Sequence, residues 1–272
     1  MHTTLLGEIS RPAVATLGTW DPFFVEHDRM LAELVGFARH RDAPAMAILL
    51  DPPPAVFNNG PQSWPRYHGL QTRLQLLRRT GVDAVMIVHF TEADLKHDAK
   101  AFFDLVCGTA PLGHFWLRHS QTIGSGSRGG GIAILAQSVK RKFELTWLPS
   151  DALRAQSSVV RGHLAAGAIS CAAAMVGRFP SIDRDERGMT QVAWPPGRYH
   201  ALHGETSTDR PTSIRAHTEI ELRVGDDGMS TFDWPQNMMD TIAFVAGPGD
   251  ASVRGSLNDS ALARVAGGAG IT

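Results

Sequence analysis

Between Ala13 and about Leu148 short apolar runs alternate with segments whose apolar residues recur at helical spacing. Ala13–Leu17, Ala45–Leu50, Val82–Val88, His114–Leu117 and Phe143–Leu148 have strand length and composition. Between them Met30, Leu31, Leu34, Val35 and Ala38 line one helical stripe, and Leu70, Leu74 and Leu77 line another. Strands joined through helices predict βαβ units, and therefore a doubly wound α/β fold with a parallel sheet covered on both faces. In such a sheet, ligand loops gather at the carboxyl ends of the strands.

Beyond Leu148 the pattern changes. Gln156–Leu164 and Ala168–Val176 read as two alanine-rich helices broken at Gly167. From Trp194-Pro195-Pro196-Gly197 onward, turn residues separate alternating segments, with Ala216, Thr218, Ile220, Leu222 and Val224 on one strand face. A second apolar run, Thr241–Ala246, stops at Gly247-Pro248-Gly249. The expected organisation is an α/β domain over residues 1–180, a small all-β domain over 181–250, and a Gly/Ala-rich tail over 251–272.

Charge narrows the class of partner. With 26 basic and 27 acidic side chains, the formal net charge of −1 provides no field to hold a polyanion, so neither nucleic acid nor a membrane is an expected partner. The first twelve residues do not read as a leader and no window reaches the length of a membrane span, which places the protein in the cytoplasm by expectation. Cys107 and Cys171 have no paired spacing, so two reduced, buried thiols are expected. The 12 histidines invite a metal reading that their spacing does not support. His200 and His203 fall on opposite faces of a strand. His217, Glu219 and Glu221 share a face with Arg223, as a solvated polar face would, and no metal ligand is assigned.

Candidate chemistry begins after the first strand, at Leu17-Gly18-Thr19-Trp20-Asp21-Pro22, with a helix starting near Val25–His27. A glycine-bearing strand-to-helix turn can present backbone N–H groups and a helix dipole to a phosphate. Alternatively it is a tight connection in which Gly18 only permits an unusual backbone angle. The loop alone leaves both readings open.

An ordered series of further segments bears on that choice. Gly18-Thr19-Trp20-Asp21 and His27 are followed by Leu50-Asp51-Pro52-Pro53-Pro54, the Leu70–Leu77 helix, Gly81-Val82-Asp83, Asp98–Val106, the glycine-rich stretch Gly124–Gly131, and Ser157-Ser158-Val159-Val160-Arg161. Together these resemble the adenylyltransferase domain of the bacterial FAD synthase family over about residues 12–180. That family typically reads Gly-Asn-Phe-Asp-Gly-Val-His-x-Gly-His after strand one, Pro-His-Pro after strand two, and Ser-Ser-Thr-x-Ile-Arg later. The resemblance implies a Rossmann-like nucleotidyltransferase fold that moves the adenylyl group of ATP onto the phosphate of FMN, with release of pyrophosphate. It implies ATP with Mg2+, and FMN or FAD, as ligands. Leu17, Gly18, Thr19, Asp21, His27, Ser157, Ser158 and Arg161 become nucleotide-binding candidates, while Asp51, Pro53 and Gly124 become flavin-side candidates. His27, Glu26 and Arg161 are the catalytic candidates.

The departures from the family pattern are local. Phe24 stands where the first histidine belongs, Glu26 replaces the adjoining glycine, and Pro53 replaces the histidine between two prolines. The family's Asp-Phe-Arg-Phe-Gly segment falls on Ser120–Gly124 without its aromatic or arginine character. Loss of one preorganised donor costs about 2.7–4 kcal/mol of transition-state stabilisation, so adenylyl transfer should be weakened. Two alternatives follow: a non-catalytic relative that binds a flavin, a nucleotide or a protein, or a different enzyme using Glu26 and His27 as an acid/base pair. Pro195-Pro196-Gly197-Arg198-Tyr199 resembles the strand entry of the riboflavin kinase barrel that follows in two-domain relatives, but the kinase motif is missing between Phe179 and Trp194. The C-terminal part is therefore expected to be a reduced form of that barrel, without kinase activity and open to a protein partner.

Overall fold

The structure is a computed structural model describing residues 1–59, 64–119, 121–124, 130–149, 152–183, 190–191, 194–203, 218–224, 229–231 and 241–246. By its internal contacts the chain forms two compact units. The first comprises Met1–Trp20, Glu26–Asn58 and Leu74–Ala152; the second comprises Asp21–Val25, Asn59–Arg73 and Leu153–Thr272.

The first unit follows the βα alternation of the sequence. Its elements are β1 (His2–Leu6), β2 (Ala13–Gly18), α1 (Val25–His40), β3 (Ala45–Asp51), α2 (Ala55–Asn59), α3 (Leu70–Arg79), β4 (Ala84–His89), α4 (Ala99–Thr109), β5 (Leu112–Arg118), α5 (Gly131–Arg141) and β6 (Glu144–Leu148). The division between the units falls within α3. The sheet order is β1-β4-β3-β2-β5-β6, parallel throughout except where β1 joins β4 antiparallel. The first five residues of β2, β3 and β4 are all buried, as central strands covered on both faces require. In α1 the buried residues His27, Leu31, Leu34 and Ala38 trace one face. Glu26 and Asp28 in its first turn, with Arg39 and His40 in its last, complement the helix dipole. The edge strand β1 lies in a segment from which the sequence pattern gave no element. Its residues alternate between exposed and half-buried, the weak signal of an edge strand. The chain enters β4 at Ala84, two residues later than expected, because Asp83 turns its carboxylate onto the Ala45 N–H (2.7 Å) and the Arg39 guanidinium (2.7 Å).

The second unit carries α6 (Ala152–Ala165), α7 (Ile169–Val176) and six strands: β7 (Ser181–Asp183), β8 (Thr190–Gln191), β9 (Gly197–His203), β10 (Thr218–Val224), β11 (Met229–Thr231) and β12 (Thr241–Ala246). The strands form a sheet in the order β7-β12-β9-β10-β11-β8 with antiparallel pairing. The break between α6 and α7 is the expected one, since Gly167 takes φ 73°, a left-handed conformation that glycine accepts without cost. Strands β7, β8 and β11 are additions to the sequence reading, being too short to show alternation. One expectation fails in each unit, because Cys171 is exposed and Cys107 is only half-buried. Cys171 lies on the outer side of α7, where Ala172, Ala173 and Val176 take the buried positions. In α4 the core positions go to Phe102, Phe103 and Val106, leaving Cys107 at the margin. Ala216, His217, the Gly247–Gly249 turn, the tail from Ala251, and the middle of the Gly124–Gly131 stretch lie outside the described residues. Among the described residues no helix is long and apolar enough to cross a membrane.

Candidate active site

The strand order of the first unit reverses between β2 and β5, and the carboxyl ends on that side open onto a cavity of about 310 Å³. Crevices at this position are where open α/β sheets bind ligands. Leu17 and Leu50 reach it from the ends of β2 and β3, Phe90 from just beyond β4, and Thr122, Ile123 and Gly124 from just beyond β5. Phe102 of α4 adds a second ring. Asp94, His97 and Asp98, with Asn58 and Thr122, supply its polar lining beside the apolar walls.

That acidic wall is rigidly built. Asp94, on the 3-10 turn Glu92–Lys96, accepts hydrogen bonds from the Thr91 N–H (2.8 Å) and hydroxyl (2.6 Å), and pairs with the Met1 ammonium and His97 Nδ1 (3.1 Å). Burial works against its ionisation, but the bonds from the Met1 ammonium and Thr91 outweigh it and hold the carboxyl at about 2. Asp98 caps α4 through the Ala101 N–H (2.9 Å). Gly124 has φ 102°, and a Cβ there would stand 2.6 Å from the Ala99 nitrogen, so only glycine lets this segment close on the helix. Of the three flavin-side candidates, Gly124 lines the cavity. Asp51 and Pro53 do not, although their neighbours Leu50 and Pro54 do. Pro53 is buried, and its carbonyl accepts the Val56 N–H that opens α2 (3.0 Å).

In the Gly18 loop the unusual backbone angle does not fall on the glycine. The left-handed residue is Trp20 (φ 54°), not Gly18. The Trp20 indole is buried, donates to the Ile48 carbonyl (3.1 Å), and lies so close to Gly18 that a Cβ there would sit 2.9 Å from the ring. Gly18 is thus required by an aromatic ring folding back on the strand end. Leu17 is buried and Thr19 half-buried. On α1, Glu26 is exposed whereas His27 is 6 % exposed and meets the Trp20 ring edge-on at 5.3 Å. Adjacent helical positions point about 100° apart, and the two side chains accordingly occupy different environments.

In the second unit Asp21 is buried, and its Oδ1 accepts the N–H groups of Tyr67 (3.0 Å) and His68 (2.8 Å). Burial raises its pKa, opposed by the charge of Arg73, the bond from His68 and the charges of Arg161 and Arg66. Arg161 donates to the Asp21 carbonyl (3.0 Å), and its guanidinium stacks 3.7 Å from the centre of the Trp64 ring. Ser157 is half-buried and Ser158 exposed. Phe24 is fully buried in an apolar cluster with Tyr67, Val160, Leu164 and Val176. Burial holds His68 well below the ordinary imidazole range, helped by Arg178 and Arg73, and pushes Tyr67 up. The sequence reading missed Trp64 and Tyr67–His68; the only trace was an aromatic and basic run, Trp64-Pro65-Arg66-Tyr67-His68, in a stretch without periodicity.

Comparison with known proteins agrees with this architecture. The family model described as FAD synthetase matches residues 7–157. No curated protein matches the chain. A solved structure described as the crystal structure of a macrolide-efflux protein from Streptococcus pneumoniae superposes with a TM-score of 0.59 at 15 % identity, covering 96 % of this chain and 93 % of that one, and shares its fold.

Proposed function

The chain belongs to the FAD synthetase family, and we propose that it is a flavin-related nucleotidyltransferase in which flavin binding is kept and adenylyl transfer is attenuated. The observation that carries this reading is the cavity at the strand carboxyl ends, walled by Leu17, Leu50, Phe90, Phe102 and Ile123 with a polar edge at Asp94–Asp98. Apolar faces and a hydrogen-bonding rim match a flavin ring, which is flat, aromatic and polar at one edge. In the first unit Leu17, Gly18, Thr19 and His27 are the proposed nucleotide-side residues; in the second, Asp21, Ser157, Ser158 and Arg161. Among the described residues no three His, Cys, Asp or Glu side chains converge on a metal position.

Transfer requires an FMN phosphate oxygen to bond to the α-phosphorus of ATP while the bond to the β-phosphate breaks and pyrophosphate leaves. The chain's contribution is to orient the two phosphates and neutralise developing charge. His27 is the remaining histidine for that task. Phe24 donates nothing, and each missing donor lowers the rate roughly a hundred- to a thousand-fold. The burial of Phe24 in an apolar cluster favours a second reading, a flavin-binding relative without turnover. Titration with FMN, followed by flavin fluorescence, together with an assay of FAD formation from FMN, ATP and Mg2+, separates the two. FMN binding with slow FAD formation that falls further in His27→Ala supports the attenuated enzyme. Binding with no FAD supports the second reading, and absence of FMN binding refutes both.

A further inference from the structure

We propose that Gln121 is a positioning residue for the cavity, acting as a side-chain rung that prolongs the β2–β5 ladder across the switch point of the sheet. This rests on the flavin reading of the cavity and deepens it. Pairing between β2 and β5 ends at Thr16 and Trp116. One residue beyond, Leu17 pairs with Ile48 of β3, and two beyond, Arg118 pairs with Leu148 of β6, so each strand continues against its outer neighbour only. Backbone polar groups facing the widening crevice need partners from elsewhere. The Gln121 carboxamide supplies both: Nε2 donates to the Leu17 carbonyl (2.8 Å), and Oε1 accepts the Arg118 N–H (2.8 Å). The Gln121 N–H also donates to the Arg118 carbonyl (2.9 Å), which closes the turn after β5.

The next three residues, Thr122, Ile123 and Gly124, form one wall of the cavity. That wall is pinned at both ends, by Gln121 on β2 and by the close approach of Gly124 to the first turn of α4. Only a side chain with one donor and one acceptor at this reach can hold the first end. Methionine offers neither, and an ionised glutamate accepts twice and donates nothing.

The test measures FMN affinity of Gln121→Met and Gln121→Glu against the unaltered protein, with thermal midpoints recorded in parallel. Loss of the rung should weaken FMN about tenfold at pH 7.5 in both variants. In Gln121→Glu the defect should shrink to within about threefold at pH 4.5, where much of the introduced carboxyl is protonated and donates again to Leu17; Gln121→Met should show no such recovery. That acid rescue is a signature that general loosening of the fold would not produce. FMN binding by both variants equal to the unaltered protein, or a defect in Gln121→Glu that does not respond to pH, overturns the positioning role and leaves the flavin reading standing. Failure of the unaltered protein to bind FMN overturns the flavin reading, and this inference with it.

Discussion

Two buried aspartates, one in each unit, have opposite environments. Asp94 forms part of the cavity wall and is surrounded by donors, which keep it ionised with a pKa of about 2. Asp21 is enclosed in the second unit, where burial dominates and raises its pKa despite the charge of Arg73, the bond from His68 and the charges of Arg161 and Arg66. The first wall is built around a fixed charge beside open space. In the second, the Asp21 carboxylate holds the Tyr67–His68 backbone, while the Asp21 carbonyl accepts from Arg161. Motif position alone does not separate these uses, since Asp21 sits in the loop that looks like a nucleotide site and Asp94 lies in no motif.

The comparison breaks most visibly if Asp21 is removed. Asp21→Ala leaves the Tyr67 and His68 N–H groups without their acceptor and removes the carboxylate charge near Arg73, Arg161 and Arg66, and should cost about 3–5 kcal/mol in urea unfolding. Asp21→Asn keeps the Oδ1 acceptor and should cost less than half as much; equal costs would show that the charge, not the acceptor, is what matters.

Next in size is the pH response of Asp94. Its folded pKa lies below the unfolded value of about 3.9. Its contribution, about 2 kcal/mol, is therefore present above pH 4 and lost as pH falls towards 2. Asp21 has the opposite sign: its raised pKa gives a contribution that is full below about pH 3.9 and fades as pH rises through the folded value. Unfolding free energies measured across this range should show less acid destabilisation in Asp94→Asn than in the unaltered protein, and a flatter profile above pH 4 in Asp21→Asn. The same direction of change in both variants would sink the contrast.

Smaller again is Gly18→Ala, which brings a methyl within 2.9 Å of the Trp20 ring and should cost about 1–3 kcal/mol by thermal unfolding. Glu26→Ala should be smallest, within about 0.5 kcal/mol, because the side chain is exposed. If it nevertheless abolishes FAD formation as completely as His27→Ala does, the acid/base reading of Glu26 and His27 is supported.

Much of the fold could be read from the sequence because burial on both faces of a parallel sheet writes near-continuous apolar runs, as in Ala45–Leu50 and Val82–Val88. The edge strand His2–Leu6 and the two- and three-residue strands of the second sheet escaped, since an edge exposes half its residues and a very short strand has no period. The candidate site was less legible. Gly124 was named by resemblance alone, and the close approach to α4 that requires a glycine there shows only in the folded chain, as do the cavity positions of Asp94 and Phe102 and the Gln121 bonds to Leu17 and Arg118.

By itself the sequence determined the alternation of strand and helix, the break at Gly167, and the ordered motifs that carry the family, because these depend on periodicity and on local backbone chemistry. Tertiary structure decided what the polar residues do. The positive φ passed from Gly18 to Trp20, Asp21 became an internal acceptor, and Phe24 entered an apolar cluster. Each outcome depends on which partners packing brings within hydrogen-bond or van der Waals reach, and those partners lie tens to more than a hundred residues away along the chain.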